Sequence, residues 1–286
     1  MGFLTMIGVI SIFGTVAVEP ASGLEHSNEL SEYKGPQPLF RIVDDLPGYR
    51  NTPVIPGQKW RVHDADRPRP LVVDPGKHVP LTRPAAARVL LGKNGELAAW
   101  EQGRQGIRWD WLGDALQVKP GTGDIFTKDS WGDLHLHLEF RTPQKVHSSS
   151  QGRGNSGVFL MGSFEVQILD SYENLSYADG QCGALYGQCP PRVNASRPPG
   201  EWQSYDIFFT RPRMEAEKVV EPARVTVLHN GVLIHNQQKF MGPTRHLRLT
   251  DYEGFRSKRG PIKIQDHGNL IQFRNIWVVD LEPEKG

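Results

Sequence analysis

Gly157-Val158-Phe159-Leu160-Met161-Gly162-Ser163-Phe164-Glu165-Val166-Gln167-Ile168-Leu169-Asp170 holds two strand-length apolar runs on either side of Met161-Gly162. They read as an antiparallel hairpin. In the second run Phe164, Val166 and Ile168 alternate with Glu165 and Gln167, so a strand sends the apolar set to one face and the polar pair to the other. The same period of two runs through Asp133-Leu134-His135-Leu136-His137-Leu138-Glu139-Phe140. Further strands are read in Trp202–Phe209, Ala223–His229, Val232–His235, Pro261–Asp266 and Ile271–Val279. Asn230-Gly231, lying between two such runs, is the strongest short-range hairpin signal in the chain. No amphipathic helix longer than about three turns is read. The 30 Gly and 22 Pro are spread along the chain rather than gathered into repeats, and they cut it into short elements. The expected class is all-β, a sandwich of mostly antiparallel strands.

The 33 basic residues nearly balance the 32 acidic ones, and no basic tail or stripe of the kind that marks a nucleic-acid binder is found. Met1–Val18 carries no charge, and Glu19-Pro20-Ala21-Ser22-Gly23 then brings turn formers and small residues. Residues 1–23 are therefore expected to be a signal peptide or N-terminal anchor, and the protein to be exported to the periplasm or cell surface. With the signal cleaved, no stable membrane partner is expected. Residues 24–87 form a Pro-rich arm, which cannot be a central sheet because proline lacks a backbone donor. Trp60, within Lys59-Trp60-Arg61-Val62-His63-Asp64, is the expected docking anchor of that arm. The core domain is expected over residues 88–282. Cys182 and Cys189 leave open either a small disulfide loop or two free thiols.

The polar residues on the strands are an unusual set. Solvated strand faces usually carry Thr, Lys and Ser, but here Glu165 pairs with Gln167, His137 with Glu139, and Gln265 with His267. Carboxylates, amides and imidazoles hydrogen-bond sugar hydroxyls and move protons near neutral pH. If these strands share one sheet, the three pairs converge on one surface; otherwise they are a wet sheet face. Glycines at 152, 154 and 157 bring backbone close to Asn155 or simply shape a tight loop. Tyr172, Tyr177, Tyr186 and Trp202 are aromatics in polar loops, able to stack on a sugar ring or to pack. His135, His137 and Glu139 resemble a metal-binding set, but successive side chains on one strand face stand about 7 Å apart, too wide for all three to grip one ion. No G-x-S-x-G, Walker or dinucleotide glycine pattern occurs, which sets aside triad acyl transfer and nucleotide chemistry.

Taken together, Gly154-Asn155-Ser156-Gly157-Val158-Phe159-Leu160, Phe164–Tyr172, Tyr177-Ala178-Asp179-Gly180, Ala184–Gln188, Pro199–Asp206, Val225–Gly231 and Gln265-Asp266-His267-Gly268-Asn269 resemble the 3-keto-disaccharide hydrolase domain family over about residues 88–281. The arm resembles that of its exported planctomycete-type members. The resemblance implies a concanavalin A-like jelly-roll sandwich that cleaves glycosides oxidised at C3, with a carbohydrate as partner. It implies Glu165 and His267 as the proton-transfer pair, Asp170 as a third catalytic candidate, and Asn155, Gln167, Gln265, Arg274, Tyr186 and Trp202 as substrate-binding residues. A divalent metal held by His137 and Glu139 is the implied cofactor. Gly92-Lys93-Asn94-Gly95 and the two cysteines depart from the family pattern, and the basic loop between Gly242 and Gly260, with His246, is expected to shape the rim of the site. The alternative is a noncatalytic carbohydrate-binding module of the same fold. A two-carboxylate glycosidase of the E-x-D-x-E strand type is disfavoured by Gln167 and Leu169 at the second and third positions.

Overall fold

A computed structural model describes residues 40–43 and 46–282, save residues 78, 80 and 105. The expected signal or anchor, residues 1–23, and the first part of the arm lie outside the described residues.

The all-β expectation is borne out. Helical structure among the described residues is confined to two 3-10 turns, Ser150–Gly152 and Ala178–Gly180. Two sheets carry the fold. The smaller orders Phe164–Ile168, Ser156–Leu160, Lys263–Ile264, Ile125–Thr127 and Trp100–Glu101. The larger orders Val232–Lys239, Arg224–His229, Gln203–Thr210, Leu134–Arg141, Gln272–Asp280, Ala115–Gln117 and Asp110–Leu112, with Arg88–Leu91 also pairing Gln272–Asp280. Both expected hairpins form: Phe159 pairs with Glu165 across Met161-Gly162, and His229 with Val232 across Asn230-Gly231.

Alternation decides what each sheet buries. Val158, Leu160, Phe164, Val166 and Ile168 from the smaller sheet join Leu134, Leu136, Leu138, Phe140, Ile207, Phe209 and Phe273 from the larger in one core cluster. Phe164 lies among the rings of Phe209, Phe240, Tyr252 and Phe255, at centroid separations of 5.2–6.1 Å. Tyr205 OH crosses the core to donate to the Gln167 carbonyl at 2.6 Å, so that buried hydroxyl is satisfied. The apolar residues facing inward leave Glu165 and Gln167 facing out of the smaller sheet.

Phe164–Ile168 is the edge strand of that sheet, and loops occupy its outer side. Gln167 N donates to Ala184 O at 3.0 Å, Gly183 N to Gln167 O at 2.8 Å, and Glu165 N to Thr244 Oγ1 at 3.0 Å. Among the described residues the arm adds no strand to either main sheet. Leu46–Tyr49 pairs with Phe40–Val43, and Leu71–Val72 with Val193–Asn194. The arm docks through Val62, His63, Asp64 and Ala65, which are buried, rather than through Trp60, which is half-buried with the Lys59 ammonium over its ring. Cys182 and Cys189 are both free thiols, and Cys182 Sγ lies 3.0 Å from Tyr205 OH inside the fold.

Candidate active site

A cavity of about 920 Å³ opens on the polar face of the smaller sheet. Glu165 and Gln167 line it from one strand, Asn155 from the loop before the neighbouring strand, and Gln265 and His267 from the segment after Lys263–Ile264. Tyr186 comes from the loop covering the sheet edge, and Thr244 and His246 from the 242–260 loop. Six of the expected site residues, Glu165, Gln167, Asn155, Gln265, His267 and Tyr186, are therefore brought together.

Glu165 is 4% exposed. Burial raises its pKa to about 8, and Lys263 opposes this only in part. The Lys263 ammonium is already engaged, 3.1 Å from Asp124 Oδ2 and 3.6 Å from the Phe159 ring centroid. Turned with its nitrogen toward Glu165, the Gln167 amide donates to Glu165 Oε1 at 3.1 Å and to the Ser156 carbonyl at 3.0 Å. The carboxyl also needs the glycine opposite: a Cβ at Gly157 would lie 2.5 Å from Glu165 Oε1 and 2.9 Å from the Phe159 ring. Gly157→Ala is expected to displace the carboxyl, a flexible side chain, at a stability cost of about 1 kcal/mol or less, while activity falls about 10- to 100-fold. Steady-state kinetics beside urea unfolding checks both halves.

One wall was legible only in part: Tyr186 and the loop carrying His246 were expected at the site, but not the hydrogen-bonded chain that joins them. Tyr177 OH lies 2.8 Å from Tyr186 OH, which lies 3.1 Å from His246 Nδ1. Burial, then the neighbouring His63 and His267, hold His246 below the ordinary imidazole range, so the ring is neutral at neutral pH. Tyr186 can then donate to Nδ1, which leaves the Nε2 hydrogen of His246 as a donor for a ligand. Behind this wall stands His63 from the arm, wholly buried, with its Nδ1 3.2 Å from Asp179 Oδ1 and its backbone N donating to Asp179 Oδ2 at 2.9 Å. Burial works against the Asp179 charge, but His63 and Arg67 outweigh it and leave its pKa lowered. Pro47 and Tyr49 of the arm line the same cavity.

The remaining expected residues lie elsewhere. Asp170 borders a smaller cavity of about 300 Å³ and accepts from Arg153 Nε at 2.7 Å, tying together the 150–174 loops. His137, Glu139, Arg274 and Trp202 belong to the outer face of the larger sheet, so the three polar pairs do not converge on one surface. Alternation assigns faces but not sheets. His137 Nδ1 meets Asp206 Oδ1 at 2.8 Å, and Glu139 Oε2 accepts from Arg274 Nε at 2.7 Å. The Arg274 guanidinium stacks 4.0 Å over Trp202, away from the cavity. Among the described residues no group of three or more His, Cys, Asp or Glu side chains is placed to hold a metal ion. His137 and Glu139 are committed to Asp206 and Arg274, and so do not fit the implied metal.

This outer cluster has a stability signature. Burial opposes the His137 charge, yet Asp206 and Glu139 raise its pKa above the ordinary value. Its contribution is therefore complete below an unfolded pKa of about 6.5 and is lost as pH rises through the raised folded value. Glu139, held at about 2 by His137, Asn275 and Arg274 against the cost of burial, contributes above its unfolded value of 4.5 and loses this as pH falls toward 2. His137→Asn is expected to lower the urea midpoint more at pH 5.5 than at pH 8.5. Equal losses at both pH values would contradict the ion-pair account.

Residues 87–279 match the model of the 3-keto-alpha-glucoside-1,2-lyase-like domain. A crystal structure from Parabacteroides distasonis, provisionally named a glycosyl hydrolase, is 37% identical with a TM-score of 0.68, over 80% of this chain and 100% of that one. A second from the same organism, also provisionally named a glycosyl hydrolase, is 24% identical with a TM-score of 0.50 over 68% of this chain and 99% of that one, a likeness of fold alone. No curated protein matches the chain.

Proposed function

The chain belongs to the family of the 3-keto-alpha-glucoside-1,2-lyase-like domain, and on that premise we propose that it cleaves glycosides whose sugar carries a ketone at C3. A C3 ketone acidifies the hydrogen on C2. Removal of that proton gives an enolate, the C1–oxygen bond then breaks toward an enone, and the departing oxygen takes up a proton. Water adds back across the new double bond, so the net reaction is hydrolysis. Such a site needs a base, an acid and a donor to the C3 oxygen.

The observation that carries the reading is the Glu165 carboxyl, almost fully buried on the cavity wall with its pKa at about 8. At neutral pH it holds its proton, which suits it to protonating the leaving oxygen. His267, at the exposed rim of the same cavity, is the base for C2. Neutral His246 donates from Nε2 to the C3 oxygen as charge develops there. Asn155, Gln167 and Gln265 supply amides for the sugar hydroxyls, and Tyr49 and Tyr186 supply aromatic surface. The uncharged Met1–Val18 stretch supports action outside the cytoplasm, in the periplasm or at the cell surface.

The test is incubation of the purified protein with a 3-keto-glucoside and with the same glucoside unoxidised. Release of aglycone from the oxidised sugar alone is expected. Release from only the unoxidised sugar would overturn the mechanism, and binding without release from either would favour a noncatalytic module.

A further inference from the structure

His63 is built into the fold with more care than docking an arm requires. Its ring is wholly buried and its Nδ1 is held by a buried carboxylate, yet its Nε2 has no hydrogen-bond partner. An orphaned buried nitrogen is costly, so its position calls for a reason. The reason lies in the rings around it. His63 packs in tilted contact 4.1 Å from Tyr177 and 4.6 Å from Tyr186, and lies 5.6 Å from His246 and 6.2 Å from Tyr49, all centroid separations. Three of these four rings form the Tyr177–Tyr186–His246 chain of hydroxyls and imidazole, and all four line the large cavity. The backbone beside the ring is tied to the same carboxylate residue: Gly187, at a φ of +71°, donates its N–H to Asp179 O at 2.9 Å. His63 also lies outside the matched domain of residues 87–279.

We propose that His63, oriented by Asp179, is a positioning residue of the active site: it fixes the Tyr177–Tyr186 pair and through it aims His246 at the substrate. The arm is on this account a working wall of the site rather than an appendage. The catalytic part of this inference rests on the role given to His246 above, whereas the positioning part can be read without any substrate.

The test uses the full chain. His246 is titrated by NMR of its imidazole, the signal being assigned by its loss in His246→Gln. Turnover of a 3-keto-glucoside is measured in parallel. His63→Ala is expected to move the His246 titration upward toward that of an ordinary imidazole and to lower kcat about 10- to 100-fold with KM changed by less than about threefold. His63→Gln, which keeps a polar group of similar length and takes over as the test variant if the alanine variant does not fold, is expected to move both in the same direction by less. Thr52→Val controls for arm integrity, because Thr52 Oγ1 donates to the Val62 carbonyl at 2.6 Å within the arm and does not line the cavity. It is expected to lower the melting temperature while leaving the His246 titration in place. A folded His63 variant with an unmoved His246 titration overturns the inference, as does a Thr52→Val titration that shifts as far as that of His63→Ala. Should the parent protein fail to turn over any 3-keto-glucoside, the functional reading falls, and the NMR comparison still decides the positioning role.

Discussion

Glu165→Gln is expected to lower turnover of a 3-keto-glucoside at least about 10³-fold at neutral pH, with substrate binding retained, because the amide keeps the shape and loses the transferable proton. The pH profile carries the sharper signature. With Glu165 as the acid and its pKa at about 8, kcat/KM of the parent protein falls as pH rises through that region, and the falling limb disappears in the residual activity of the variant. A limb that rises toward pH 8 would exchange the roles of Glu165 and His267. The same proton also carries a stability effect. The folded pKa lies above the unfolded value of 4.5, so the native state binds the extra proton between those limits, and stability is lost as pH rises from about 4.5 to 8. The full penalty above pH 8 is on the order of 5 kcal/mol. Glu165→Gln should therefore be less active yet more stable than its parent at pH 9, the pattern of a site strained for its chemistry. A variant that loses stability at pH 9 would show that the carboxyl is structural.

Phe164→Ala, one residue away, tests the opposite face of the same strand. Phe164 is fully buried among four aromatic rings, and its removal leaves a large cavity between the sheets. The expected cost is about 3–5 kcal/mol, read from urea unfolding. Activity per folded molecule should change far less than in Glu165→Gln, since Phe164 points away from the ligand cavity. A loss below about 1 kcal/mol would mean that the core collapses around the missing ring.

The pairing of these two residues also marks how much of the molecule was legible in the sequence. The period of two gave the strands and told which side chains share a face, so Glu165 and Gln167 were found together and Phe164 was assigned to the core. The Met161-Gly162 and Asn230-Gly231 turns gave local pairing. Alternation carries no information about which sheet a strand joins. His137 and Glu139 look equivalent to Glu165 and Gln167 on paper, but Leu134–Arg141 lies in the other sheet, beside Gln203–Thr210 and Gln272–Asp280. Arg274 and Trp202 went with them. His63 lies in the arm segment read as its docking point, but its role was hidden for another reason: its partner Asp179 is 116 residues away. His246 had only a basic loop to identify it. The fold was thus read from local pattern, and half the site depends on contacts that no local pattern encodes.

The strand bearing Glu165 is an edge strand, and an edge is a template on which another chain can add a strand. Here the edge is occupied by the segment around Gly183–Leu185 and by Thr244, from the same loops that wall the cavity. The substrate pocket and the protection against aggregation are consequently one construction. Shortening those loops to widen the pocket would uncover Val166 and its neighbours to intermolecular β-pairing, so efforts to broaden specificity there should meet insolubility before they meet inactivity.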